Sequence, residues 1–183
     1  MMRIFRRSWL FISFLFLTGQ VACLSSAAQH SNKVFLTGVN LLYGPVSQAV
    51  LFSEYPAWKE NFDDFKPDPA LIDSLSRLAN DGLKSEIFFG TWCGDSRREV
   101  PRFLKIVERS GFLSPDSIFL WGVDRNKELD NGLTQKRDIS RVATFIIFLR
   151  AQEIGRIVER PQAESLEQDI LNILKQKEDT GSE

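Results

Sequence analysis

The chain has 183 residues, of which 43% are hydrophobic and 26% are charged. These proportions are typical of a single globular domain with an apolar core, and they exclude a disordered or fibrous protein. The formal net charge is −1, and the sequence lacks the basic clusters that bind nucleic acid or an anionic membrane surface. We therefore expect no nucleic-acid partner.

The first 28 residues have a composition different from the rest. Three arginines precede the apolar run 9–17, and small residues follow at 23–28. This order predicts a signal peptide, 1–28, that is cleaved before Gln29 and exports the domain to the periplasm or the medium. Loss of the three arginines would bring the net charge to −4. The alternatives are lipidation of Cys23, which would attach the domain to a membrane, and an uncleaved signal.

The cysteine count restricts the chemistry of the exported domain. The chain has two cysteines, and removal of the signal or lipidation of Cys23 leaves Cys93 as the only free thiol. The single histidine, His30, is far from it in the sequence. Such a set cannot supply the usual ligands of a zinc or copper site, so we expect no metal and no other cofactor.

Residues 29–68 are predicted to form an N-terminal extension packed on the domain. A strand is indicated at 33–38, where apolar residues dominate. A short helix is predicted from Pro45 through Phe52, because proline favours the first helical position. The aromatic stretch 55–65 contains Pro56 and gives no clear periodic pattern.

The segment 68–82 is predicted to be a helix with both ends marked. Asp68 is the N-cap, Pro69 occupies the first helical position, and Gly82 ends the helix. Its apolar stripe consists of Leu71, Ile72, Leu75 and Leu78.

The remaining segments alternate between apolar runs and helical patterns. Strands are predicted at 87–89, 117–124, 144–149 and 154–158, and helices from the Cys93 region to Arg109 and over 163–175. The polar segment 177–183 is predicted to be a disordered tail. The order strand–helix–strand, then hairpin–helix, indicates an α/β domain at 69–176 with a mixed β-sheet flanked by helices on both faces.

The stretch "FFGTWCGDSRREVP", residues 88–101, places a cysteine where a strand turns into a helix. Free N–H groups and the positive end of the helix dipole at that position favour the thiolate of Cys93. Ser96, one turn on, can direct its hydroxyl at the sulfur, and Arg97 and Arg98 add positive potential that Asp95 opposes. The alternative is a buried, unreactive cysteine that packs as a small apolar residue.

The order of elements, together with a Trp-Cys turn that opens a helix, resembles the thioredoxin superfamily over roughly residues 69–176. The string "GTWCGDSRREVPRF" (90–103) is similar to that of a bacterial thioredoxin-like subgroup with a Cys-Gly-Asp-Ser site. The resemblance implies a thioredoxin-like fold and a thiol chemistry.

The resemblance also assigns roles to individual positions. Trp92 and Cys93 match the family's tryptophan and nucleophile, and Ser96 stands where its second, resolving cysteine would be. The family's cis-proline turn, Val-Pro-Thr, is matched by Val142, Ala143 and Thr144. Gly94 and Asp95 fill the two variable positions of the motif, and Pro101 matches the proline inside the active-site helix.

Because a cis bond before a residue other than proline costs about 2.5–4 kcal/mol, we expect the Val142–Ala143 peptide to be trans.

A lone thiol limits the reaction that such a site can complete. A thiolate can attack a disulfide and form a mixed disulfide, but release then requires an outside thiol or the partner's second cysteine. The sequence therefore predicts monothiol exchange or isomerisation with protein or low-molecular-weight thiols and disulfides as partners, catalysed by Cys93 with Ser96. The alternative is a redox-silent binding module that keeps the fold, and the sequence leaves open whether the protein is an enzyme.

Overall fold

The computed structural model describes residues 32–36 and 39–180. The predictions for the signal peptide, for Cys23 and for His30 lie outside these residues. Within the described ranges, no helix is both long enough and apolar enough to cross a membrane.

Among residues 32–36 and 39–180, six strands form a sheet whose order is β1-β2-β4-β3-β5-β6. The central strands β3 and β4 are parallel, and every other neighbouring pair is antiparallel, so the sheet is mixed, as predicted. The strands are β1 (Asn32–Leu36), β2 (Val39–Val46), β3 (Leu83–Phe89), β4 (Ile118–Gly122), β5 (Thr144–Leu149) and β6 (Gln152–Val158).

In the described part of the chain, six α-helices accompany the sheet. They are α1 (Gln48–Glu54), α2 (Pro56–Asp64), α3 (Pro69–Ser76), α4 (Gly94–Ser110), α5 (Leu133–Lys136) and α6 (Leu166–Thr180). The β3-α4-β4 unit followed by the β5-β6 hairpin and α6 is the arrangement that the sequence predicts. The thioredoxin-like α/β fold is therefore confirmed.

The two faces of the sheet bury separate apolar clusters because successive strand residues point to opposite sides. On β3, Ile87 and Phe89 enter the larger cluster, which also receives side chains from α1, α2, α3, α4 and α6. Phe88 faces the smaller cluster, which the segment 123–142 with its short helix α5 covers. Helices thus lie on both faces, although five of the six cover one of them.

The N-terminal region differs from its prediction at Pro45. This residue lies in β2 opposite Trp121 of β4, and α1 begins only at Gln48, where the Ser47 side chain accepts a hydrogen bond from the Val50 N–H at 3.2 Å. Pairing with β4 over 44–46 holds Pro45 in an extended conformation, which overrides its preference for a helix start. The aromatic stretch that gave no clear pattern forms α2, whose Trp58 and Phe62 are buried.

Helix α3 starts as predicted but ends earlier. The Asp68 carboxylate caps it by accepting hydrogen bonds from the N–H groups of Ala70 and Leu71, at 2.8 and 3.2 Å. The helix ends at Ser76 rather than at Gly82, because Asn80 accepts from the Gly82 and Leu83 N–H groups in a turn that leads into β3.

At the C-terminus, α6 extends beyond its predicted end at 175 and reaches Thr180. It therefore enters the segment 177–183 that the sequence predicted to be a disordered tail. Residues 181–183 lie outside the described part of the chain.

A buried ion pair joins β3 to the segment that covers the smaller cluster. Glu86 is 5% exposed, and its two carboxylate oxygens accept hydrogen bonds from Arg137 Nε at 2.6 Å and from an Arg137 terminal nitrogen at 2.9 Å. Burial by itself raises the pKa of Glu86, but the hydrogen bonds and charges of Arg137 and Lys84 outweigh it and hold the pKa below the ordinary value of 4.5. The pair therefore stabilises the fold only while Glu86 is ionised.

This ion pair leads to a prediction about stability and pH. A carboxyl group whose pKa is lower in the folded state contributes stability above its unfolded pKa and loses it as the pH falls through the folded pKa. We expect Glu86→Gln to lower the free energy of unfolding by about 2 kcal/mol at neutral pH. In urea unfolding, the difference from wild type should shrink as the pH falls below 4.5.

A matched control is Glu108→Gln. Glu108 pairs with Lys105 at 2.9 Å on the surface, where it is about half exposed, and exposed pairs contribute about 0.2–1 kcal/mol. Equal losses in the two variants, independent of pH, would contradict the role given to Glu86.

Candidate functional site

The turn that carries Cys93 follows β3 directly. The Cys93 N–H donates to the Gly90 carbonyl at 2.9 Å, and the Cys93 carbonyl accepts from the Arg97 N–H at 3.1 Å as the first bond of α4. Cys93 is the N-cap of that helix, with φ −90° and ψ 129°. A side chain at Gly90 would lie 2.6 Å from the Trp92 indole, so glycine is required for the ring to fold back over the turn.

The sulfur of Cys93 faces the start of β5, which pairs with β3. Cys93 is partly exposed, and its S–H donates to the Val142 carbonyl at 3.0 Å. The sulfur therefore lies between the start of α4 and the 142–143 turn that precedes β5, which is the juxtaposition that the resemblance implies.

The expectation of a trans peptide at Val142–Ala143 is wrong, because this bond is cis. Contacts from distant segments define the turn: Ala143 is fully buried, and its carbonyl accepts from the Glu159 N–H at 2.6 Å. The Thr144 hydroxyl also donates to the Arg141 carbonyl at 2.7 Å. The tertiary environment, rather than the local preference for trans, sets this geometry.

Ser96 occupies a different position from the one expected. It is fully buried, and its hydroxyl oxygen accepts a hydrogen bond from the Gly90 N–H at 3.2 Å. The hydroxyl therefore bonds to the turn rather than to the sulfur of Cys93, whose own hydrogen bond goes to Val142. Ser96 is a positioning residue that ties α4 to the end of β3.

The charged residues of α4 form pairs beside the site. Arg98 donates to Asp95 at 2.6 Å and also bonds to Glu99. The hydrogen bond to Glu99, followed by the one to Asp95, raises the pKa of Arg98. Arg98 stays protonated, but the negative charges of Asp95 and Glu99 largely balance its positive charge. It therefore adds less positive potential at Cys93 than the sequence predicted.

Two other residues of the motif sit where the sequence places them. Gly94 is the first residue of α4 and has open space where a side chain would be. Pro101 is buried inside α4, about two turns beyond Cys93.

Two residues near the site were not found from the sequence. Glu99, which is 1% exposed, has one carboxylate oxygen without a hydrogen-bond partner in the described part of the chain. The guanidinium of Arg125 lies over the Trp92 ring, 5.7 Å from its centre. The position of Arg125 depends on the neighbouring strand, so no local pattern could have indicated it.

The site thus brings together Trp92, Cys93, Ser96, Ala143 and Thr144, with Gly94, Asp95 and Arg97 on the first turn of α4. Among the described residues, no group of three or more His, Cys, Asp or Glu side chains is placed to hold a metal ion. What the arrangement offers chemically is one accessible sulfur at a helix N-terminus.

No protein-family model and no curated protein matches the chain. Among solved structures, a protein of unknown function from Pseudomonas aeruginosa has 18% identity and a TM-score of 0.51, covering 74% of this chain and 99% of its own. A thioredoxin pre-protein from Schistosoma mansoni has 27% identity and a TM-score of 0.37, covering 61% and 93%. The oxidised thioredoxin of Plasmodium falciparum has 16% identity and a TM-score of 0.35, covering 56% and 88%. The similarity to the Pseudomonas protein shows a shared fold alone.

Proposed function

We propose that this chain is an exported thioredoxin-like protein whose Cys93 forms mixed disulfides with protein or low-molecular-weight partners. The observation that carries the proposal is the position of the sulfur: partly exposed, at the N-terminus of α4, and 3.0 Å from the Val142 carbonyl. The thiolate is the reactive form of a cysteine, and the partial exposure of this sulfur leaves it open to a disulfide. Export is argued from the signal-like segment 1–28.

The reaction is an exchange of sulfur partners. Cys93 loses its proton to water, and the thiolate attacks one sulfur of a disulfide. A new bond from Cys93 to that sulfur forms, the old sulfur–sulfur bond breaks, and the second sulfur leaves as a thiolate with the electron pair. Cys93 is oxidised and the departing thiol is reduced.

The second half of the reaction depends on a thiol from outside the domain. Ser96 cannot resolve the mixed disulfide, because it has no sulfur and its hydroxyl is engaged with Gly90. A low-molecular-weight thiol, or the partner's own second cysteine, must attack the sulfur bound to Cys93. Attack by the partner's second cysteine releases the Cys93 thiolate and forms a disulfide within the partner, which is isomerised where the pairing is new. Attack by an outside thiol also releases the Cys93 thiolate but leaves that thiol joined to the partner, and a second outside thiol must then take up the first in a new disulfide to return a reduced partner.

The proposal is tested with a chain that begins at Gln29, in which Cys93 is the only thiol. We expect the folded protein to react with iodoacetamide and to gain the mass of half of a small disulfide reagent, both of which Cys93→Ala abolishes. The mass of the protein recovered after export from cells, starting at Gln29, tests the localisation. A Cys93 that reacts only after unfolding would favour the redox-silent binding module instead.

A further inference from the structure

The sheet topology brings Arg125 to Trp92, the residue that precedes Cys93. Strands β3 and β4 are parallel, with Phe89 opposite Gly122, so the segments that follow them leave the same edge of the sheet. The Val123 N–H also donates to the Phe89 carbonyl at 2.9 Å. Cys93 follows the end of β3 by four residues and Arg125 follows the end of β4 by three, and both therefore lie at this edge.

Trp92 fixes the guanidinium of Arg125 at that edge. The indole folds back over Gly90 and packs, together with Cys93, against the smaller apolar cluster. Arg125 lies over its ring at 5.7 Å, a cation–π contact that holds an otherwise exposed side chain. A fixed cation thus stands next to the residue that precedes the reactive cysteine.

Arg97 adds a second exposed cation, on the first turn of α4. Its N–H donates to the Cys93 carbonyl at 3.1 Å, so its backbone lies directly beside that residue. Helical side chains lean towards the preceding turn, so Arg97 extends in the direction of the Cys93 end of α4. Neither Arg97 nor Arg125 forms an ion pair within the described residues.

The carboxylates close to this edge are engaged with other groups. Asp95 pairs with Arg98 at 2.6 Å, and Glu159 pairs with Arg141 at 2.9 Å. The side chain of Asp124 accepts hydrogen bonds from the Glu128 N–H and the Asn126 amide, at 2.8 and 3.4 Å. The donors to Asp124 are neutral, so this carboxylate keeps its negative charge next to Arg125 in the sequence. Arg97 and Arg125 are exposed cations without an ion-pair partner among the described residues, in a chain whose overall charge is negative.

We propose that the Cys93 site selects disulfides that carry a carboxylate close to the reacting sulfur, with Arg125 on Trp92 as the main specificity residue and Arg97 as a second contact. This inference rests on the exchange reaction proposed for Cys93. The attack on the disulfide and departure of the second sulfur are unchanged, and the arginines act by binding the partner's negative charge.

The test compares three small disulfides that differ in charge. They are 5,5′-dithiobis(2-nitrobenzoate), which is anionic, 4,4′-dithiodipyridine, which is neutral, and cystamine, which is cationic. Rate constants with Cys93 are measured for the wild type, Arg125→Gln and Arg125→Lys at low and high salt. The matched control is Arg109→Gln, which removes the same charge from an exposed position roughly 24 Å away at the other end of α4.

For Arg125→Gln we expect the rate with the anionic probe to fall about three-fold, the rate with the neutral probe to stay constant and the rate with the cationic probe to rise. Arg125→Lys and Arg109→Gln should react like the wild type, and high salt should diminish the differences. Two disulfide-linked peptides, with glutamate or with lysine beside the cysteine, extend the comparison from small molecules to protein segments.

The outcomes separate the two proposals. If Arg125→Gln changes all three rates equally, or none of them, while Cys93 still reacts, the charge preference is refuted and the exchange function stands. If Cys93 of the wild type reacts with none of the probes, the exchange function itself is refuted, and the charge preference with it.

Discussion

Ser96→Cys should convert the lone-thiol site into one that releases its partner without an outside thiol. Residues three apart in a helix face each other, so the introduced sulfur comes within reach of Cys93. We expect the lifetime of a mixed disulfide on Cys93 to fall about ten-fold or more, because attack from within the molecule replaces a bimolecular step. Turnover should rise in a disulfide-reduction assay supplied with an external dithiol.

The structure indicates what this substitution costs. Ser96 is fully buried and accepts the Gly90 N–H, and sulfur is a weak acceptor, so the turn loses about 1 kcal/mol of stabilisation. Ser96→Ala is the matched control, since it removes the same hydrogen bond without adding a thiol. Its mixed disulfides should persist as long as those of the wild type.

The decisive measurement for Ser96→Cys is the number of free thiols that remain after mild oxidation. The Ser96→Cys chain starting at Gln29 should lose both free thiols and two hydrogen atoms in mass as an internal disulfide forms. Two thiols that stay open to alkylation, together with an unchanged lifetime of the mixed disulfide, would refute the idea that the missing thiol at position 96 is what prevents release of the partner.

The strands and helices of the central domain could be predicted because their signals are local. β5 coincides with its apolar run at 144–149, and α4 follows from the apolar spacing of Val100, Phe103, Leu104 and Val107, all of them buried. Helix α2 was missed although Pro56 stands at its first position and Trp58 and Phe62 are four residues apart. There, aromatic residues and a proline weakened the helical pattern, while burial against the larger cluster stabilises the helix.

The errors at Pro45 and Ala143 share a physical cause. In both places a local preference was outweighed by contacts with residues distant in sequence: Trp121 of β4 opposite Pro45, and Cys93 and Glu159 around the Val142–Ala143 turn. Sequence reasoning placed Cys93 at a strand–helix junction, because the Trp-Cys turn is a local feature. It could not find Arg125, which lies over Trp92 only once β3 and β4 pair.

The N-terminal extension contributes a strand to the central sheet rather than only packing on the domain, and Gly122→Ala tests how much this pairing stabilises the fold. Strand β2 pairs with β4 over three residues, and Gly44 of β2 stands opposite Gly122. A methyl group at Gly122 would lie 2.2 Å from the Leu42 carbonyl oxygen, a backbone atom that cannot move without displacing β2. We therefore expect Gly122→Ala to lower the free energy of unfolding by about 3 kcal/mol or more in urea unfolding.

Gly94→Ala provides the comparison for stability. Gly94 begins α4, and among the described residues, apart from its chain neighbours and the backbone of its own helix, no atom lies within 4 Å of the position that a methyl group would take. Alanine there should leave stability unchanged or raise it by about 0.5 kcal/mol. Displacement of β2 in Gly122→Ala should also expose the extension to protease before the rest of the domain. The carboxyl end of β4, where this displacement occurs, leads to Arg125. If Gly122→Ala is as stable as Gly94→Ala, the β2–β4 pairing contributes little to the free energy of unfolding, and the extension only packs on the domain. If the two variants differ as expected, the edge of the sheet that carries Cys93 and Arg125 depends on the extension for its support.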